Sequence, residues 1–258
     1  PYYYMAGQNG IHPMYIQEML KDSRYSDEDV LAVIDHLKVN DSNNYSLSKL
    51  EAARYFYSEK PNGTWSPKKV MQNRTVLILG TGPGVRKYRE AIEQFIKKHK
   101  PYVIGLNAQK NICDDLINVR AACHPVRLLA DCHEHIKLPQ PLITPASMLP
   151  QDLQAALAEK ELFNFGVATS NDGFKFHKKY AELPAFLVIA YALAIATSGE
   201  ANNIYLAGFD GYASGDIRNQ EMTDLFNEYN NSSGSLSIKT LTPNQYQLKS
   251  ISIYGEIN

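Results

Sequence analysis

The sequence predicts an α/β fold: a mostly parallel sheet with flanking helices, preceded by a small helical module. Short β-branched runs alternate with helical stretches from about residue 68 onward, as expected of strands joined by crossover helices. One such run, Thr75–Leu79, leads directly into a glycine-rich turn and an amphipathic segment. Before residue 60 the apolar residues recur at helical spacing instead.

Composition narrows the function classes. The 258 residues, 44% hydrophobic and 21% charged, provide for at least one substantial core. Lys plus Arg total 26 against 27 Asp plus Glu, a formal charge of −1, which gives no general electrostatic case for a nucleic-acid partner or an anionic membrane. Recognition has to be local. The longest strongly apolar stretch, Ala185–Thr197, is too short to cross a bilayer at about 1.5 Å per residue, and no signal peptide opens the sequence, so a cytoplasmic location is expected. Cys113, Cys123 and Cys132 form no Cys-x-x-Cys pair and are too few for a disulfide framework, which fits a reducing compartment. The sequence begins Pro1-Tyr2-Tyr3-Tyr4 without an initiator Met, so it is expected to be part of something longer.

Residues 1–60 form the expected helical module. Pro13 suits the first turn of a helix whose apolar stripe is Tyr15, Ile16, Met19 and Leu20. Ser26 precedes Asp27-Glu28-Asp29, so a hydroxyl cap and an acidic turn meet the helix dipole, and Val30, Val33, Ile34 and Leu37 follow on one face. Ser46 caps a third helix carrying Leu47, Leu50, Ala53 and Tyr57. Residues 61–73 read as a linker, because Ser58 to Pro67 gathers breaker residues between two periodic regions. Residues 74–258 make the second domain, with expected strands at Thr75–Leu79, Tyr102–Leu106, Val126–Ala130, Leu142–Thr144, Phe163–Ala168 and Asn203–Ala207. Its clearest helices are Val85–His99 and Leu183–Ser198. Asn230 to Gly234 reads as a mobile loop, and Leu236–Ile253 alternates enough for one or two closing strands.

The sharpest chemical signal is Gly80-Thr81-Gly82-Pro83-Gly84. A buried strand entering a glycine-rich turn at a helix N-terminus presents free backbone N–H groups and a positive dipole end, which suit a phosphate. Arg86 and Lys87 add charge in the first turn. Gly80 and Gly82 match the first two glycines of the dinucleotide fingerprint, but Val85 takes the third position and the lysine of a P-loop is absent. Asn107 stands after the second strand, where an NAD site has a ribose-binding Asp or Glu, so NAD is disfavoured. The alternative is a tight strand-to-helix turn with no ligand.

Asp131-Cys132-His133-Glu134-His135 follows the expected third strand, at the sheet edge where ligands bind. In an extended segment Asp131, His133 and His135 point the same way and can hold a metal; the other reading, which assigns no metal, is a polar loop whose Asp131 bonds backbone or ligand. After the run Asn203–Ala207, Gly208 and Gly211 permit close backbone approach. Asp210 between them either holds a ribose, a sugar hydroxyl or a metal, or caps a turn. His177, in a polar run after the fifth expected strand, is a candidate general base or a solvated histidine beside Lys178 and Lys179.

Two family resemblances follow from these residues. The opening Tyr3-Tyr4-Met5-Ala6-Gly7-Gln8-Asn9-Gly10-Ile11-His12-Pro13-Met14-Tyr15-Ile16, with the helices to about Tyr57, resembles the helical tail after the barrel of bacterial aldolases related to 4-hydroxy-2-oxovalerate aldolase and HMG-CoA lyase. That resemblance implies an upstream aldolase barrel, and it carries over no catalytic residue. The rest, with Ile78-Leu79-Gly80-Thr81-Gly82-Pro83-Gly84 at its head and Ile204-Tyr205-Leu206-Ala207-Gly208-Phe209-Asp210 near its end, resembles Rossmann-like domains of two groups. They are the 6-hydroxymethylpterin diphosphokinase-like and motility-accessory-factor proteins, and bacterial sialyltransferases that use CMP-sugars.

This second resemblance implies that Gly80, Gly82 and Gly84, with Thr81 and Pro83, approach nucleotide phosphates, and that Gly208 and Asp210 line the same crevice. Those groups have a serine after the proline of the turn, and here Gly84 replaces it. Asn107 and Asp131 are the further ligand-binding candidates, and His177 and Asp210 the catalytic ones. The expected partner is a nucleotide or nucleotide-sugar, an oligomer is possible, and the residues name no cofactor. The implied activity is glycosyl transfer, in surface-polysaccharide synthesis from a nonulosonic or octulosonic acid. The amides of Gly82 and Gly84 would stabilise the leaving phosphate, and Gly82→Val is expected to abolish nucleotide binding with the fold largely intact. The alternatives are the C-terminal portion of an aldolase, or a regulatory module that binds nucleotide without turning it over.

Overall fold

A computed structural model of the chain describes residues 61–257 apart from 125–127, 129–130, 150, 171 and 186. The helical module of residues 1–60, and with it the aldolase-like opening, lies outside the described residues.

Eight strands form the main sheet: β1 (Thr75–Leu79), β2 (Tyr102–Leu106), β3 (Val119–Ala121), β4 (Leu142–Thr144), β5 (Leu162–Asn164), β9 (Asn203–Ala207), β10 (Ile238–Thr240) and β11 (Lys249–Ser250). Their order is β11-β10-β9-β1-β2-β3-β4-β5, and every pairing is parallel. Rossmann-like α/β architecture follows, with helices on both faces. Central β1 shows why the sequence is nearly all apolar there. Val76 and Ile78 enter the larger core cluster, whereas Leu77 and Leu79 enter the second with Ile92 and Phe95. A strand buried on both faces has no polar side to alternate with.

The second cluster is covered by α3 (Arg89–His99), whose Ala91, Ile92, Phe95 and Ile96 are buried. Lys100 ends this helix in a left-handed conformation, its N–H donating to the Ile96 carbonyl, and Pro101 prevents continuation. Helix α6 (Val188–Ser198) is buried all round from Ile189 to Thr197. It packs against β2 and β3 on one side, and on the other against β7 (Lys175–Phe176) and β8 (Tyr180–Leu183). These two strands and β6 (Gly166–Thr169) make a separate three-stranded sheet in the order β6-β8-β7. Sandwiched between two sheets, α6 has no solvent face, which accounts for the apolar run Ala185–Thr197. No helix among the described residues is long and apolar enough to cross a membrane.

Several expectations on element bounds are corrected. The third strand is Val119–Ala121; of the strand expected at Val126–Ala130 only Leu128 is among the described residues, and it is helical, its N–H donating to the His124 carbonyl. The run Phe163–Ala168 divides at Phe165, the chain leaving the main sheet as β5 and starting the small one as β6. The helix expected at Val85–His99 is two, α2 (Pro83–Lys87) and α3, broken at Tyr88. The helix expected from Leu183 starts at Val188, after β8. Asn230 and Asn231, expected in a mobile loop, end a helix, α7 (Ile217–Asn231). The closing stretch supplies β10 and β11, and α8 (Ile253–Ile257) then packs on α3.

Residues 61–73 lie against this framework. Trp65 stacks on Phe163 at 4.9 Å, the amides of Thr64 and Trp65 donate to the Asn164 carbonyl, and Met71 at the end of α1 (Lys68–Met71) is fully buried.

Candidate functional site

After β1 the chain builds the sheet outward through β2 to β5, then returns to place β9 on the other side of β1. The C-terminal ends of β1 and β9 therefore flank the point where strand order reverses, the usual place for a ligand crevice in such sheets. Gly80-Thr81-Gly82-Pro83-Gly84 follows one end and Gly208-Phe209-Asp210 the other.

These two turns close on each other. Gly80 N–H donates to the Ala207 carbonyl at 2.8 Å, Gly82 N–H to the Gly208 carbonyl at 3.0 Å, and Gly84 N–H to Asp210 Oδ2 at 3.0 Å. Gly208 N–H donates to Thr242 Oγ1 at 3.0 Å. The glycines permit this contact: a Cβ on Gly82 would stand 2.6 Å from the Gly208 carbonyl oxygen, and one on Gly84 would overlap the Asp210 carboxylate. Gly208 has φ +81° and faces Val85. The amides of Gly82 and Gly84, expected to face a phosphate, are thus engaged within the chain, and the half-buried Asp210 carboxylate sits at the start of α2 where the anion was expected. Thr81 is exposed at the crest.

Beyond Asp210 a polar cluster surrounds the start of α7. Asp216 caps the helix, accepting from Arg218 N–H, and pairs with the Arg218 guanidinium at 2.6 Å. That hydrogen bond holds the Asp216 carboxyl down at about 2. The guanidinium lies 4.1 Å from the centre of the exposed Tyr212 ring, and Asn219 fixes the Tyr212 backbone from both sides, at 2.8 Å and 3.3 Å. Tyr246, buried against Phe226, has its hydroxyl pushed up to about 12 by desolvation first and then by the neighbouring Tyr212, Asp210 and Asp216. Tyr212, Asp216, Arg218 and Tyr246 carried no signal in the sequence, because they converge only once α7 and the loop after β10 are in place.

The other candidates separate. Asn107 lies past β2 on the same edge, at φ 50°, its N–H donating to the Ala121 carbonyl and its own carbonyl accepting from Arg120 at 3.4 Å. Asparagine is among the few residues that tolerate this conformation. Fully buried Arg120 also bonds Gln140 Oε1 at 2.7 Å, the Gln109 carbonyl at 2.5 Å and Asp114 at 2.9 Å, so it pins the loop that carries Asn107. Asp131 is the residue before α4 (Cys132–Lys137). Because that segment is helical rather than extended, His133 is exposed and His135 is buried, and the two do not point the same way. No group of three metal-ligating side chains is assembled among the described residues. His177 belongs to the small sheet, stacked on Tyr180 at 4.1 Å with Nε2 3.1 Å from Glu182 Oε1, and no bond joins it to Asp210.

No known family's sequence profile matches the chain, and no curated protein sequence does. Fold and crevice define the class: a Rossmann-like α/β domain with its candidate site at the β1/β9 switch point. Among solved structures, the chain is similar to a Maf glycosyltransferase from Magnetospirillum magneticum AMB-1, with 11% identity and a TM-score of 0.55. The likeness covers 89% of this chain but only 43% of that one, and at this identity it speaks to the fold.

Proposed function

We propose that this chain binds a nucleotide-sugar at the β1/β9 crevice and takes part in glycosyl transfer. The observation that carries the reading is the convergence, at the switch point, of the glycine-rich turn with Asp210 and the Tyr212–Arg218 pair. A fold shared with a glycosyltransferase supports it. On this reading Asp210, oriented by the Gly84 amide, accepts a hydrogen bond from the sugar or takes the proton of the attacking hydroxyl. His177, oriented by Glu182, is the second proposed base. Phosphate contacts fall to exposed Thr81 and to Arg218 Nη1, since the Gly82 and Gly84 amides already have acceptors and the pair with Asp216 uses only Nε and Nη2 of the guanidinium.

Thermal-shift and calorimetric titration with CMP, CDP, UDP, GDP and ATP, with and without Mg²⁺ or Mn²⁺, tests the reading. One nucleotide is expected to raise Tm saturably, and Asp210→Asn is expected to keep the fold while lowering transfer from the matching sugar-nucleotide about a hundredfold. If no nucleotide shifts Tm at millimolar concentration, the assignment fails. The engaged Gly82 and Gly84 amides favour one second reading, a module that binds nucleotide without catalysis; tight binding with neither transfer nor sugar-nucleotide hydrolysis would select it.

A further inference from the structure

We infer that a second ligand site lies at the opposite edge of the sheet, in a basic cleft that takes a small phosphate-bearing anion. The cleft has a volume of about 640 Å³, within the usual range of small-ligand sites. Ser66, Lys68, Lys69, Gln72, Arg74 and Lys178 line it, with Tyr102. Three parts of the fold bring these together: α1, the residues entering β1 and β2, and the turn between β7 and β8. The residues entering β1 and β2 lie at the N-terminal ends of those strands, whereas the crevice of Asp210 lies at the C-terminal ends of β1 and β9.

Four cations therefore line a cleft to which no carboxylate contributes, in a chain whose net charge is −1. Lys68 is bonded to Glu200 beside the cleft, and Glu161 lies near Tyr102. Lys69, Arg74 and Lys178 have no carboxylate partner among the described residues. Arg74 is held without being neutralised: Nη1 donates to the Val70 carbonyl at 3.3 Å, and the guanidinium lies 5.2 Å from the centre of the Tyr102 ring. Ser66, 9% exposed, lines the cleft, and its hydroxyl has no hydrogen-bond partner among the described residues. Several cations around one small volume match a group with two or more negative charges better than a single carboxylate.

Calorimetric titration of the full chain with inorganic pyrophosphate tests this, comparing wild type with Lys69→Ala/Lys178→Ala and with Lys97→Ala/Lys249→Ala, which removes the same charge elsewhere. Wild type and the second double variant are expected to bind saturably, more weakly as salt rises, and the cleft variant about tenfold or more weaker. Lys178→Gln alone, with melting curves for all variants, separates lost binding from lost folding. Competition by a sugar phosphate and by a nucleoside diphosphate then identifies the organic part of the ligand. No saturable heat with wild type, or equal weakening in both double variants, overturns the inference. So does pyrophosphate binding that Asp210→Asn removes and Lys69→Ala/Lys178→Ala leaves intact, because the anion would then be in the crevice.

Discussion

Gly82 and Gly215 both accept only glycine comfortably, for different reasons. Gly215 has φ +85° with nothing within 4 Å of a built Cβ, so Gly215→Ala meets conformational strain alone, about 1 kcal/mol. At Gly82 the backbone of Gly208 blocks the space. Gly82→Val is therefore expected to lower Tm well beyond Gly215→Ala, by the equivalent of about 3 kcal/mol, rather than to spare the fold as the glycine pattern suggested. Equal melting temperatures for the two variants would show that the turns can part. Arg120 is the other residue with a large expected effect. Arg120→Met leaves Gln140 Oε1 and the Gln109 carbonyl without their buried donor, at a cost of about 3 kcal/mol in urea unfolding. A change below about 1 kcal/mol would mean that water replaces the guanidinium. Arg120 was invisible in the sequence, since a three-residue strand has no periodicity from which to tell a buried cation from a surface one.

At the scale of elements, legibility followed environment. Strands β1, β2, β4 and β9 were placed to the residue: β1 and β2 because a doubly covered parallel strand is nearly all apolar, β9 because buried Ile204 and Leu206 alternate with half-buried Asn203 and Tyr205. Helix α4 was misread because six residues ending at Lys137 are too few to show a helical period against the alternation of Asp131, His133 and His135. Helix α7 was missed although it carries an apolar stripe, Met222, Leu225, Phe226 and Tyr229 at i, i+3, i+4 and i+7, among mostly polar neighbours; its start is set by the Asp216 cap. That cap has a pH signature. The folded Asp216 carboxyl, at about 2, lies below its ordinary value of 3.8, so its contribution is full above that value and disappears as pH falls through about 2. Asp216→Asn, which keeps a capping side chain, is expected to melt below wild type at pH 7, with the gap closing between about pH 4 and 2. A gap that persists at the acid end would assign the effect to something other than the Asp216–Arg218 pair.

For the whole molecule, the position of residues 61–73 matters most. Read as a linker, this stretch would contribute nothing to the α/β domain. Its packing, with Trp65 on Phe163 and Met71 fully buried, leads us to propose that the stretch is part of that domain. A chain beginning at Asn62 is expected to melt several degrees above one beginning at Arg74, since the shorter one exposes Phe163 and loses the buried Met71 side chain, about 2–3 kcal/mol. Identical melting curves would restore the linker reading.

By itself the sequence determined the α/β class, the central strands and the two turns at their ends, because burial on both faces and glycine's freedom leave local marks. Tertiary structure alone decided what those turns do. That β9 returns beside β1 is a long-range pairing with no local signature, and only that pairing brings Asp210 onto the Gly84 amide and fills the helix start with the chain's own carboxylate. The same return gathers Tyr212, Arg218 and Tyr246 around the crevice. The basic cleft at the other edge likewise comes from Arg74 and Lys178, distant in sequence and joined only when the two sheets pack around α6.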